Sequence, residues 1–244
     1  MSIFKRRSKK VQAEQDPNYP VVDGMHYLDV LAGIEARKKP ELYLEIGSRS
    51  GTSLLPRKCS FIAIDPVFKL KSSDFRTEGD MYFFRKTSDD FFASAFLQRN
   101  DLVPDLAFID GMHLFENALK DFMNCEKAMS PDGIICFHDV VPFNGEMTTR
   151  DDNYLNIGTA WTGDVWKVVP VLMKYRPDLK IDVLNASRTG LCCVSTLDPE
   201  NDILSQNFEQ IMQEFIQIDL AKDGPDSYFG RIELLDPNKY LETL

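Results

Sequence analysis

Four side chains able to move protons or bind cations fall in two short motifs, Asp110-Gly111-Met112-His113 and His138-Asp139. An imidazole titrates near neutrality and can take or give a proton. Carboxylates accept hydrogen bonds and hold hard cations. The chain has only 3 histidines, and two of them are here. Each motif ends an apolar run, Leu106 to Ile109 in the first case and Ile134 to Phe137 in the second. Between the runs, Phe115, Ala118, Leu119, Phe122, Met123 and Met129 recur at helical spacing. Ser130-Pro131-Asp132-Gly133 supplies the stop. Strand, crossover helix and strand predict a right-handed βαβ unit with parallel strands. Both strands then finish on the edge where open α/β sheets bind ligands. Asp110, His113, His138 and Asp139 are therefore predicted to face one cleft. The competing structural reading makes Asp110 a helix cap and Asp139 a strand terminator.

A second constellation lies upstream. Glu45-x-Gly47-x-x-x-Gly51 follows the apolar run Leu42 to Ile46 and encloses Ser48 and Arg49. Glycines let a backbone turn tightly and approach a ligand. The pattern is not GxGxxG, and an acid at the strand end repels a pyrophosphate. Glu45 suits a cationic group instead, such as an amino-acid ammonium. Some twenty residues on, Asp65 closes the run Phe61 to Ile64, where a carboxylate can accept both hydroxyls of a ribose. An amino acid joined to a nucleoside describes S-adenosyl-L-methionine (SAM). Two glycines at a strand–helix junction can also be a plain structural turn.

The elements that must position these groups read as an α/β domain. Met25 to Lys39 is an amphipathic helix stopped by Pro40, and Met81 to Phe84 is a third strand. Ser88-Asp89-Asp90 starts a helix whose apolar body is Phe91 to Leu97, with Ser88 as its capping hydroxyl. The polar stretch Lys69 to Asp80 is a short helix or a loop. A long irregular stretch runs from Val140 to Gly163, a length usual in lids and binding loops. Its Asn144, Glu146, Arg150, Asp151, Asp152 and Tyr154 give it a polar lining suited to a hydroxylated substrate, and Trp161 could stack on an acceptor. Trp166, at helical spacing, reads as core. Asp164 to Tyr175 is helical, kinked or restarted at Pro170. Ile181 to Leu184 and Leu191 to Val194 are late strands, and Leu204 to Phe215 is a final helix. The pattern predicts a doubly wound, Rossmann-like sheet, mainly parallel, with helices on both faces. Residues 1–20 read as a basic, disordered tail, 21–222 as a single domain and 223–244 as a C-terminal extension. In that extension Tyr228-Phe229 and Ile232 to Leu235 could clasp the core or a second copy of the chain in a homo-oligomer.

Composition narrows the function classes. A net charge of −10 argues against a general binder of nucleic acid or anionic membrane, the exception being the basic run Phe4 to Lys10. No apolar run reaches the roughly 18–20 residues of a membrane span. The 5 cysteines form no CxxC pair, which fits a reducing cytoplasm.

LYLEIGSRSGTS, FIAIDP, DLAFIDGMHLFENALKDF and GIICFHDV together resemble a class I SAM-dependent methyltransferase. The resemblance runs from Leu42 to Val194 and points to the subgroup of macrocin-type sugar O-methyltransferases and cephalosporin-hydroxylase-like proteins. It implies a sheet with a terminal antiparallel strand. It also implies a SAM site lined by Glu45, Gly47, Ser48, Arg49, Gly51, Asp65 and Asp110, with Ser88 near the adenine. In similar metal-dependent enzymes Asp110 and Asp139 match metal-binding acids, and His138 stands where a further acid is usual. The implied ion is Mg²⁺ or Mn²⁺ on Asp110, His138 and Asp139, and imidazole suits Mn²⁺ better. His113 occupies the place of a catalytic histidine. The expected function is O-methylation of a hydroxylated small-molecule or glycan acceptor. A SAM-binding module without catalysis, and another metal-dependent enzyme on this scaffold, are the alternatives.

Overall fold

The computed structural model describes residues 14–70, 75, 78–151 and 160–244. The basic run Phe4 to Lys10, most of the stretch between Lys69 and Asp80, and Asp152 and Tyr154 of the long loop lie outside them. The strands are β1 (Leu42–Ile46), β2 (Ser60–Ile64), β3 (Met81–Phe84), β4 (Leu106–Ile109), β5 (Ile134–His138), β6 (Lys180–Leu184), β7 (Leu191–Ser195) and β8 (Leu234–Leu235). They form one sheet in the order β3-β2-β1-β4-β5-β7-β6-β8. The first five are parallel to one another; β7 runs antiparallel to β5 and β6, as the resemblance implies. The edge strand β8 is additional, and comes from the segment read as an extension. The connecting helices are α1 (Tyr27–Lys38), α2 (Ser88–Ala93), α3 (Phe96–Arg99), α4 (Phe115–Ala128), α5 (Val168–Tyr175), α6 (Ile203–Gln206), α7 (Phe208–Phe215), α8 (Leu220–Asp223), α9 (Asp226–Phe229) and α10 (Pro237–Glu242). No helix among the described residues is long and apolar enough to cross a membrane.

The two-residue period of the strands builds two cores. Leu44, Ile46, Ile64, Ile109, Ile135 and Phe137 face α4, whose Phe115, Ala118, Leu119 and Phe122 return at helical spacing. Tyr43, Phe61, Phe108 and Cys136 face the other way, against Leu31 and Ile34 of α1 and Leu241 of α10. This is the doubly wound arrangement. Pro170 sits in the first turn of α5, where its missing N–H is not needed, so it restarts the helix after a 3-10 turn over Val165–Lys167.

Several local readings change. Thr87, not Ser88, caps α2: its side chain accepts the Asp90 N–H, and Ser88 becomes the first helical residue. The expected helix through Leu97 breaks at Ala95, which has a left-handed backbone. The helix expected over Leu204 to Phe215 breaks at Asn207 and is not the last one. Tyr19, assigned from sequence to the tail, is buried and bonds the Leu220 carbonyl. Tyr228 is buried as well and donates to the Val140 carbonyl at 2.9 Å.

The site depends on one close approach. Gly47 ends β1 with φ +92°, and a Cβ there would stand 2.0 Å from the Asp110 carbonyl oxygen and 2.6 Å from Gly111 Cα. Asp110 N donates to the Ile46 carbonyl at 2.9 Å, so the ends of β1 and β4 lock together. Neither backbone can yield without breaking the parallel ladder. Gly47→Ala is therefore expected to destabilise the fold by about 3 kcal/mol, read as a lowered urea midpoint. An unchanged midpoint would contradict this packing.

Candidate functional site

Crossover topology delivers the predicted groups to one cleft of about 870 Å³ at the carboxyl edge of the sheet. Gly47 and Arg49 after β1, Asp65 after β2, Ser88 at the start of α2, Asp110 and His113 after β4, and His138 and Asp139 at the end of β5 all line it. Asp65 is oriented by two backbone donors, Arg49 N to Oδ2 at 2.9 Å and Val67 N to Oδ1 at 2.7 Å. Each oxygen keeps lone-pair capacity for a further donor.

Three expected residues do not reach this cleft. Glu45 shares the face of Tyr43 by strand alternation and is 1% exposed. Its Oε2 accepts the Tyr43 hydroxyl at 2.6 Å and its Oε1 the Ser53 hydroxyl at 2.7 Å. Burial raises the Glu45 pKa, partly offset by those hydroxyls. Ser48 is buried behind the turn, with Oγ on the Glu45 carbonyl. Gly51, at φ +71°, packs towards Leu70. These residues shape the loop from behind rather than forming the cleft wall.

At the other end, Asp110, His113 and Asp139 offer ligand atoms that all lie within 4.8 Å of one another. The sequence placed His138 in that set; the pleat of β5 instead turns its ring towards α1, where it packs 4.0 Å from the Tyr27 ring. His138 still keeps Nδ1 within 3.4 Å of both Asp110 and Asp139. Its Nε2 meets the Arg188 carbonyl at 3.0 Å, which requires the proton there. His113 Nδ1 lies 2.8 Å from the Trp161 carbonyl and must likewise carry a proton. That leaves Nε2, 3.5 Å from Asp110 Oδ1, as the lone-pair atom of the neutral ring. A ligating histidine whose other N–H is anchored on a backbone carbonyl is the usual second layer of a metal site. Thr189 donates to Asp139 Oδ1 at 2.6 Å.

Electrostatics make the same point. Burial works against charge on both imidazoles, yet Asp139 and Asp110 hold each of them up at about 9. Burial would raise Asp110, but His138 and His113 keep its carboxyl well below the usual carboxylate range. The pocket recruits positive charge. Two carboxylate oxygens and one imidazole nitrogen fit a divalent cation that tolerates nitrogen, Mn²⁺ more than Mg²⁺.

Residues 44–140, the span that contributes β1 to β5 and both motifs, match the family model described as a methyltransferase domain. Over that span the chain is similar to methyltransferase domains. Among solved structures, a methyltransferase from Podospora anserina bound to SAH superposes with a TM-score of 0.50 at 15% identity, covering 70% of this chain and 77% of that one. TomG of Streptomyces achromogenes, an O-methyltransferase involved in tomaymycin synthesis and solved with SAM, gives 0.46 at 17% identity over 70% and 78%. An O-methyltransferase from Bacillus cereus in complex with SAH gives 0.44 at 17% identity over 73% and 84%. No curated protein matches the chain in sequence.

The cleft is also shaped by contacts that sequence reasoning missed. Trp161 stacks on His113, ring centroids 5.0 Å apart, rather than standing free for an acceptor. Tyr27 and Thr189 support the histidine and aspartate from behind, through contacts no local pattern announces. Asp121 had a legible signal: it is a carboxylate inside the apolar stripe of α4. It is 3% exposed, and burial pushes its carboxyl up to about 7, opposed by the Ser88 hydroxyl, raised further by Asp89 and lowered by Lys120.

That shift has a definite sign. An unfolded aspartate titrates near 3.9, so between about that value and about 7 the folded protein binds the extra proton. Stability must fall as pH rises through this window, each pKa unit being worth about 1.4 kcal/mol. Asp121→Asn removes the charged state. In urea titrations the variant is expected to match the parent near pH 4 and to exceed it at pH 8; equal midpoints at pH 8 would overturn the assignment.

Proposed function

We propose that this protein is a SAM-dependent O-methyltransferase acting on a hydroxylated small molecule or sugar, assisted by a divalent cation. One observation carries the reading: on a methyltransferase domain, a single cleft runs from a ribose-competent carboxylate, Asp65, past the Gly47 turn to the Asp110–His113–Asp139 cluster. Arg49 and Ser88, along the same wall, support a nucleoside orientation with the base towards α2 and the amino-acid end towards the glycine turn. Glu45 contributes at one remove, by fixing the turn through Ser53 and its own strand through Tyr43.

The acceptor hydroxyl is held beside Asp110 and Asp139. His113 is the base of the proposed reaction, because its Nδ1–H is committed to the Trp161 carbonyl and Nε2 is the atom left to take a proton. Trp161 keeps that ring in plane by stacking. The methyl group passes from the sulfonium of SAM to the acceptor oxygen, the O–H bond breaks towards His113 Nε2, and SAH is the product. A divalent ion on Asp110, His113 and Asp139, when bound, lowers the pKa of the acceptor hydroxyl and neutralises the carboxylate pair. His113 Nε2 has a single lone pair, so it would take the proton only while it does not ligate the ion, which Asp110 and Asp139 would then hold. Loss of a positioned acid–base group costs typically 10²–10⁴-fold in rate.

The direct test is turnover of methyl-labelled SAM over a panel of hydroxylated acceptors, with and without EDTA, alongside thermal shifts with SAH. SAH is expected to raise the melting temperature, and EDTA to suppress turnover. In His113→Gln, turnover is expected to fall by about 10²-fold or more while SAH affinity stays within a few-fold. A protein that binds SAH but transfers no methyl group to any acceptor would be a binding module instead. Full activity in the variant would remove His113 from the mechanism.

A further inference from the structure

The turn between β6 and β7 presses on the residues that follow β5. The Thr189 carbonyl accepts the Val141 N–H at 2.8 Å, and a Cβ on Gly190 would stand 2.3 Å from Val141 Cγ2. The side chains meet as well, with Thr189 Oγ1 at 2.6 Å from Asp139 Oδ1. That separation belongs to a hydroxyl donating to an ionised carboxylate. Both residues are buried, and both hold left-handed backbones, Asp139 at φ +62° and Thr189 at φ +58°. Aspartate visits that region, but a β-branched residue in it is a genuine outlier. Glycine would take the same φ at no steric cost. Backbone strain of this kind persists where surrounding contacts over-determine it, and it clusters at functional sites. What threonine supplies here and glycine cannot is the hydroxyl on Asp139.

The two oxygens of Asp139 are thereby made unequal. Oδ1 meets the Thr189 hydroxyl and lies 3.4 Å from His138 Nδ1, which together occupy its lone pairs. Oδ2 lies 3.3 Å from the ring of His113, the other member of the cation-competent cluster. We propose that Thr189 sets the ion selectivity of that cluster: by holding Oδ1 it restricts Asp139 to a single ligand oxygen, Oδ2, so that the site takes Mn²⁺ and discriminates against Ca²⁺. The assignment rests on the metal-assisted reading above. Ca²⁺ gathers about 6–8 oxygens, partly through carboxylates that offer both of theirs. One oxygen from each of two aspartates and an imidazole nitrogen make a poor set for it, whereas Mn²⁺ accepts the nitrogen. Released from Thr189, Asp139 could turn and offer two oxygens. Thr189 is a positioning residue, acting through Asp139.

The test follows Mn²⁺ binding by the paramagnetic resonance signal of the free ion, and Ca²⁺ binding by its displacement of Mn²⁺. The parent protein is expected to prefer Mn²⁺ by about 10-fold or more. Thr189→Val keeps the shape and loses the hydroxyl; its preference is expected to fall by about 10-fold, with SAH affinity within about 3-fold of the parent. Thr189→Ser keeps the hydroxyl and is expected to retain the parent ratio. Thr189→Gly relieves the backbone, so it is expected to match or exceed the urea midpoint of Thr189→Val and still lose the preference to the same extent. A turn that matters only for packing would weaken both ions alike and leave their ratio unmoved. An unchanged ratio in Thr189→Val and Thr189→Gly overturns the selectivity assignment and leaves the metal reading standing. A parent protein that binds no Mn²⁺, or that binds it equally well after Asp139→Asn, overturns both.

Discussion

Two carboxylates brought to one half-buried pocket repel each other unless positive charge stands between them, and this constraint governs the centre of the molecule. Asp110 and Asp139 are placed there by parallel strands joined through α4, and nothing in the sheet can separate them. The protein answers with two imidazoles, each anchored through its outer nitrogen to a backbone carbonyl and each turned inward towards the acids. Backbone carbonyls do not move with protonation state, so the inward nitrogens stay aimed whether they carry protons or face a cation. The tilt of His113 is set further by Trp161, and that of His138 by Tyr27.

How much of this was legible in the sequence follows from the range of each interaction. The βαβ unit was readable because its signals are local: two apolar runs, helical spacing and a Pro-Gly stop. Parallel pairing then placed Asp110 and Asp139 together without further information. What failed was orientation at the ends of strands. Glu45 sits one residue from a position that would point elsewhere, and the pleat sends it to the face of Tyr43, away from the cleft. A motif records which residue is present; the alternation of the strand decides which side it serves.

The C-terminal segment was illegible for a different reason. Its elements are short, and none is stable alone. Tyr228 is held by the Val140 carbonyl, and Leu234 and Leu235 by β6, partners that lie far away in the chain. Ser88 shows the same effect in miniature. It was read as a cap for its own helix, yet the neighbouring Thr87 does that work.

Asp164 holds the long loop in place. Its Oδ1 accepts the first N–H of α4, its Oδ2 accepts from Arg150 and from Lys167, and its own N–H meets the His113 carbonyl. Trp161 Nε1 closes back onto the Thr149 carbonyl, and Thr162 and Gly163 both bond Met147. The two ends of the segment from Arg150 to Trp161 are thus sewn together independently of whatever lies between them. Changes of sequence between those two ends therefore need not disturb the histidine that the base of the segment secures.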